Sequence, residues 1–214
     1  MKKLMLLFVA ALLLLPALTG CGQSGGGGED VDYKPVIYLY PEKQTAVDVT
    51  LDYDGRLTCT YPAYEDGWHV MAEPDGTLTD LRDGRTYSYL FWEGVPDAAD
   101  YDMSRGFVVK GEDTAAFLRD ALAQMGLDAR EYNEFIVFWL PQMQDNPYNL
   151  VTFQTDAYTD RARLQITPEP DTVLRVFMVW QPLAQPVDVE AQELSHTDRT
   201  GFTVVEWGGT MLEP

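Results

Sequence analysis

Between residues 47 and 61, apolar and polar side chains alternate with a period of two. Val47, Val49, Leu51 and Tyr53 are spaced by Asp48, Thr50 and Asp52, and Leu57, Cys59 and Tyr61 resume the beat. Successive side chains of a strand point to opposite faces, so the pattern predicts two strands, each half buried and half wet. Asp54-Gly55 between them favours the positive φ of a tight hairpin turn, and on that reading Cys59 faces the core. Trp68, Val70 and Ala72 share the next face, and Pro74-Asp75-Gly76 turns the chain into Leu78 to Leu81. Asp83-Gly84 turns it again into Tyr87 to Trp92. Short strands punctuated this way predict an antiparallel meander. Ahead of it, Val36 to Tyr40 lie between Pro35 and Pro41, which places a short strand near a sheet edge.

The rhythm breaks from Gly94 to Gly106, a long surface loop with Asp97, Asp100 and Asp102. After a short strand at Phe107 to Val109, the spacing of Phe117, Leu118, Leu122 and Met125 predicts an amphipathic helix from about Asp113 to Met125. Gly126 is its stop, and Asp128 with Glu131 forms a capping box for a second, short helix. Phe135 to Leu140 is a continuous apolar run ended by Pro141, the pattern of a central strand buried on both faces. Leu150 to Phe153, Leu164 to Ile166, Val173 to Trp180 and Thr203 to Trp207 complete the strands. The fold class is α+β and mostly antiparallel. An N-terminal β-meander and a short helical hairpin packed on the sheet make residues 33–214 one globular domain.

Residues 1–32 do not share this grammar. Lys2 and Lys3 precede an apolar stretch, Leu4 to Leu15, that is shorter than the about 20 residues of a membrane span. Leu18-Thr19-Gly20 then precedes Cys21, and the whole resembles the lipobox signal of bacterial lipoproteins. The resemblance implies a signal peptide at 1–20, cleavage before Cys21 and lipidation of that cysteine. The partner is then membrane lipid, and the chain is lipid-anchored on the extracytoplasmic side of the cell membrane. Residues 21–32, with Gly25 to Gly28, read as a flexible tether spanning about 18 Å. Lys34 to Pro41 and Gly201 to Gly209 resemble the opening and closing segments of a family of uncharacterised bacterial surface proteins, which implies an intact domain and no particular chemistry.

Charge narrows the partners. The net charge is −19, and more negative once Lys2 and Lys3 leave with the signal. Such a body repels nucleic acid and anionic lipid heads and favours cations, basic peptides or neutral ligands, or serves solubility alone. The expected ligand is a glycan, a peptide or an envelope protein, and the expected state a monomer. With Cys21 lipidated, Cys59 is a lone thiol and no internal disulfide forms. His69 and His196 are the only histidines. Neither has a zinc spacing, and no phosphate or dinucleotide loop is present, so no metal and no cofactor is expected.

Three glutamates stand beside aromatic residues: Glu93 after Phe91-Trp92, Glu134 before Phe135, and Glu206 before Trp207. A carboxylate walled by rings is raised toward the range of a general acid, and Trp92, Trp139 or Trp207 would stack on sugar. The competing reading pairs Arg175, which shares an apolar strand face with Val173, Phe177 and Val179, with Glu206 or Glu134 as a buried structural ion pair, and strand position favours Glu206. The leading functional expectation is a non-catalytic binding or interaction module. The alternative is a glycan-active hydrolase using two of the three glutamates, with the 94–106 loop as its cover.

Overall fold

The computed structural model describes residues 31–213, so the expected signal segment, Cys21 and most of the tether lie outside the described residues. The chain is α+β and mostly antiparallel. It begins with β1 (Tyr33–Tyr40), β2 (Thr45–Tyr53), β3 (Gly55–Tyr61) and β4 (Trp68–Ala72). Then come β5 (Leu78–Asp80), β6 (Thr86–Tyr87), β7 (Leu90–Pro96) and β8 (Phe107–Lys110). Helices α1 (Thr114–Met125) and α2 (Ala129–Met143) follow. β9 (Tyr148–Phe153), α3 (Thr155–Thr159), β10 (Ala162–Thr167), β11 (Thr172–Leu183) and β12 (Thr203–Met211) complete it. A seven-stranded sheet has the order β3-β7-β1-β12-β11-β9-β8, and a five-stranded one the order β10-β2-β4-β5-β6. Every pairing is antiparallel except β11 with β12.

Strand alternation sorts the core into two clusters on opposite faces of the large sheet. Val36 and Tyr38 of β1, Leu174, Val176 and Met178 of β11, and Val205 and Trp207 of β12 meet Leu118, Leu122, Phe135 and Trp139 of the helices. Their sequence neighbours Ile37, Leu39, Phe177, Val179 and Val204 point the other way. They pack on Val47, Val49, Trp68 and Val70 of the small sheet. The result is three layers: helices, large sheet, small sheet. A strand between two such layers must be apolar at every position. β1 obeys this from Val36 to Leu39, all fully buried. It is therefore central and not near an edge, the reverse of what the flanking prolines suggest.

The run from Phe135 to Leu140 is not a central strand. It lies inside α2, launched by the Asp128–Glu131 capping box, in which Asp128 Oδ1 accepts from Glu131 N at 3.1 Å and Glu131 Oε2 from Asp128 N at 2.8 Å. Phe135, Trp139 and Met143 are buried at four-residue spacing, and Val137 between them is 74% exposed. Four residues make one turn and a neighbour on the same face, so the helical period was there under the apolar run.

The Asp54-Gly55 hairpin also fails. β2 pairs with β4 and β10 in the small sheet, and β3 pairs with β7 in the large one. The dipeptide turns the chain between layers, with Gly55 so close to its neighbours that a Cβ would stand 2.4 Å from Val95 O. β3 is the free edge of its sheet, and its register with β7 shifts between Leu57 and Cys59. One extra residue flips every later side chain to the other face. Cys59 is exposed for this reason and not on the core.

Three loop aspartates, two of them before glycines, behave as turn residues. Asp75, Asp83 and Asp102 each accept a backbone N–H two residues on, at 2.9, 2.8 and 2.9 Å. Those bonds hold the Asp75 and Asp83 carboxyls below the usual range, and the Ser104 hydroxyl together with its backbone N–H does the same for Asp102.

Candidate functional site

The three glutamates are divided by the sheet. Glu206 is fully buried on the side facing the small sheet, where Arg175 Nε meets its Oε2 at 2.5 Å. Its Oε1 accepts from Tyr158 OH at 3.0 Å and Trp92 Nε1 at 3.3 Å. Both oxygens are taken, with no access for a ligand. Glu93 lies in β7 on the helix side of the sheet. Burial raises its carboxyl, partly offset by the backbone N–H of Lys34, which donates to Oε1 at 3.2 Å, and by the Lys34 charge. Glu134 projects from α2 on the same side, where Tyr38 OH donates to its Oε2 at 3.0 Å.

Lys34 links the latter two. It holds a left-handed backbone, φ 57°, where β1 slips register against β12 between Tyr33 and Val36. A non-glycine residue there is uncommon and needs its surroundings to hold it. Its ammonium stands 5.0 Å from the ring centre of Tyr89 and 5.6 to 5.9 Å from those of Phe91, Trp207 and Phe138. The rings' negative faces attract a cation, and the side chain is thereby fixed beside Glu134.

Two hollows meet at Glu134. One of about 420 Å³ is lined by Lys34, Asn133, Glu134, Val137 and Phe138. The other, of about 510 Å³, is lined by Tyr61, Tyr87 and Tyr89, by the hydroxyl residues Thr77, Thr86 and Ser88, and by Glu134. Tyr61 is 60% exposed and meets Tyr87 edge to face at 5.2 Å. Tyr89 packs edge to face on Tyr38 at 5.5 Å. Half-exposed rings, hydroxyls and one carboxylate are the furniture of a site for a neutral polyhydroxylated ligand.

The tryptophans picked out for stacking do not reach it. Trp92, Trp139 and Trp207 are 0, 1 and 0% exposed and belong to the two cores. The tyrosines take their place, and the signal for them was Tyr87-Ser88-Tyr89, a period-two pair at the end of the meander. The 94–106 loop is not a cover for the glutamates either. β7 continues to Pro96, and beyond it Tyr101 stacks on Phe177 and Met103 packs into the inter-sheet core. Among the described residues no group of three His, Cys, Asp or Glu is placed to hold a metal.

Over 97 residues the chain is 41% identical to a Butyrivibrio fibrisolvens protein described as an uncharacterized protein in bglA 3' region. The match takes in 99% of that protein and 44% of this chain. The chain belongs to that protein's family. No protein-family profile matches the chain, and no solved structure does. The family therefore brings no chemistry of its own, and the reading rests on the residues around Glu134.

Proposed function

We propose that the protein is a lipid-anchored extracytoplasmic binding module whose ligand, a neutral glycan, lies in the tyrosine cleft at Glu134. The observation that carries this reading is the fate of the glutamates. Glu206 is spent on Arg175, Tyr158 and Trp92, whereas Glu134 borders an open cleft with three tyrosines and three hydroxyl side chains. The Tyr rings stack on sugar C–H faces, Glu134 accepts hydroxyls, and Lys34 donates. In this picture α1 and α2 act as one helical hairpin that braces the Glu134 side of the cleft. The lipobox-like residues Leu18 to Cys21 support the anchor. Among the described residues no helix is long and apolar enough to cross a membrane.

The test is titration of the intact protein with neutral cell-wall and plant oligosaccharides, comparing wild type with Tyr89→Ala and Glu134→Gln. Each change is expected to weaken binding by about 10-fold or more, the scale of one aromatic or charged contact. Release of reducing ends, abolished by Glu134→Gln, would replace the module by the hydrolase. Mass spectrometry should find a diacylglycerol on Cys21, and Cys21→Ser should free the protein from membranes. A soluble wild-type protein would end the anchored reading.

A further inference from the structure

β10 and β11 follow one another through Pro168 to Asp171, yet they never pair. β10 bonds only to β2, and the register of β11 with β9 starts at Met178, so Thr172 to Phe177 are laddered to β12 alone. Peptide groups alternate sides along a strand. Thr172 N donates to Phe202 O at 3.1 Å, so the even-numbered residues here face β12. Val173 and Arg175 face outward. The outward carbonyls of Arg175 and Phe177 accept from Thr155 Oγ1 at 3.3 Å and Gln154 N at 2.8 Å, which fixes the parity. On β10, Asp54 N donates to Arg161 O at 2.8 Å. Odd-numbered residues therefore face β2, and Leu164 and Ile166 turn their peptide groups outward.

Both outward rows border one groove of about 650 Å³, whose walls carry Leu164, Ile166, Val173 and Arg175. Arg175 closes the inner end of the β11 wall. Its side chain is 9% exposed, Nε is spent on Glu206, and Nη2 is buried without an acceptor. The usual protections of a strand edge are only partial: Pro168 and Pro170 bound the connector, and Gln154 and Thr155 cover the carbonyls of Phe177 and Arg175. No lysine occurs between residues 162 and 176, and Val173 is 46% exposed.

We propose that this groove receives an extended peptide segment of another protein, which adds as a strand along the outward peptide groups of β11 and β10. Every second side chain of the guest is apolar and meets Leu164, Ile166 and Val173. The guest is basic. Glu169 and Asp171 lie in the connector, and the net charge of −19 sets a second copy at a disadvantage. This site shares no lining residue with the tyrosine cleft.

The experiment titrates the intact protein with a short synthetic peptide of alternating valine and lysine, and with the same peptide N-methylated at every second residue. The plain peptide is expected to bind and to slow hydrogen exchange at the amides of Val173, Arg175, Leu164 and Ile166. N-methylation is expected to weaken it by about tenfold or more, since it removes donors and keeps charge and side chains. Val173→Pro deletes an outward N–H that no ladder uses, and should cause a similar loss with an unchanged melting temperature. Ile166→Pro serves on the other wall. Equal affinity for the N-methylated peptide overturns the proposal. So does unchanged exchange at the four amides in the bound state, or protection of them by a concentration-dependent dimer without peptide.

Discussion

At the scale of single residues, carboxylates decide most of what is unusual here, and Glu93 carries a measurable signature. Burial lifts its carboxyl above the usual range, against the pull of the Lys34 N–H and charge. A raised acid in the folded state means that the native protein binds the proton more tightly than the unfolded chain. Stability therefore falls as pH rises from the ordinary glutamate range through the raised value, and the penalty persists above it. Glu93→Gln keeps an oxygen for Lys34 N and removes the charge. Denaturant midpoints recorded from pH 4 to pH 8 should fall less with rising pH in the variant, which should be at least as stable as wild type at neutral pH. A variant that loses stability at neutral pH would mean that the Lys34 charge outweighs burial.

At the scale of elements, legibility followed the period of the pattern. The alternating runs at Val47 to Leu51 and Trp68 to Ala72 became strands with the expected faces buried, because one wet face leaves an unambiguous beat. The helix stop at Gly126 was readable too. Its φ of 112° and the Thr197 carbonyl 2.8 Å from any added Cβ demand glycine. Continuous apolar runs were not readable, since a strand buried on both faces and a helix seam look alike in composition. Phe135 to Leu140 became a helix seam for that reason, while Val36 to Tyr40, placed near an edge by its flanking prolines, took the central place. At the site, Glu134 was visible beside its aromatic neighbours, but the buried tryptophans drew attention away from Tyr61, Tyr87 and Tyr89. No local pattern announces which rings a three-layer fold will seal. The helix makes an asymmetric prediction inside the former strand candidate. Phe135→Ala should cost about 3–5 kcal/mol, as for a buried aromatic, whereas Val137→Gln should stay within about 0.5 kcal/mol. Urea melts compare them directly, and equal large losses would restore the strand.

At the scale of the whole molecule, the question is what holds the three layers together where the chain runs into β1. The tether expected over residues 21–32 does not extend through Asp32, which is docked and fully buried. Its Oδ1 meets Arg161 Nη2 at 2.6 Å, and Tyr53 OH donates to Oδ2 at 2.7 Å. Its backbone exchanges hydrogen bonds with Gly94 at 2.8 and 3.4 Å. Arg161 lies over the rings of Tyr101, Tyr158 and Phe177. One aspartate thus joins β7 of the large sheet to β2 and the start of β10 at the small one. Asp32→Asn keeps shape and one acceptor but leaves the Arg161 charge buried and uncompensated, a loss of about 3–5 kcal/mol. Asp52→Asn, on the exposed pair with Arg163, is the control and should leave the midpoint nearly unchanged. Chemical denaturation at neutral pH and low salt measures both. A chain begun at Tyr33 should reproduce the Asp32→Asn loss. If Asp32→Asn melts like wild type, Arg161 finds water or another acceptor, and Asp32 is not what clamps the two sheets.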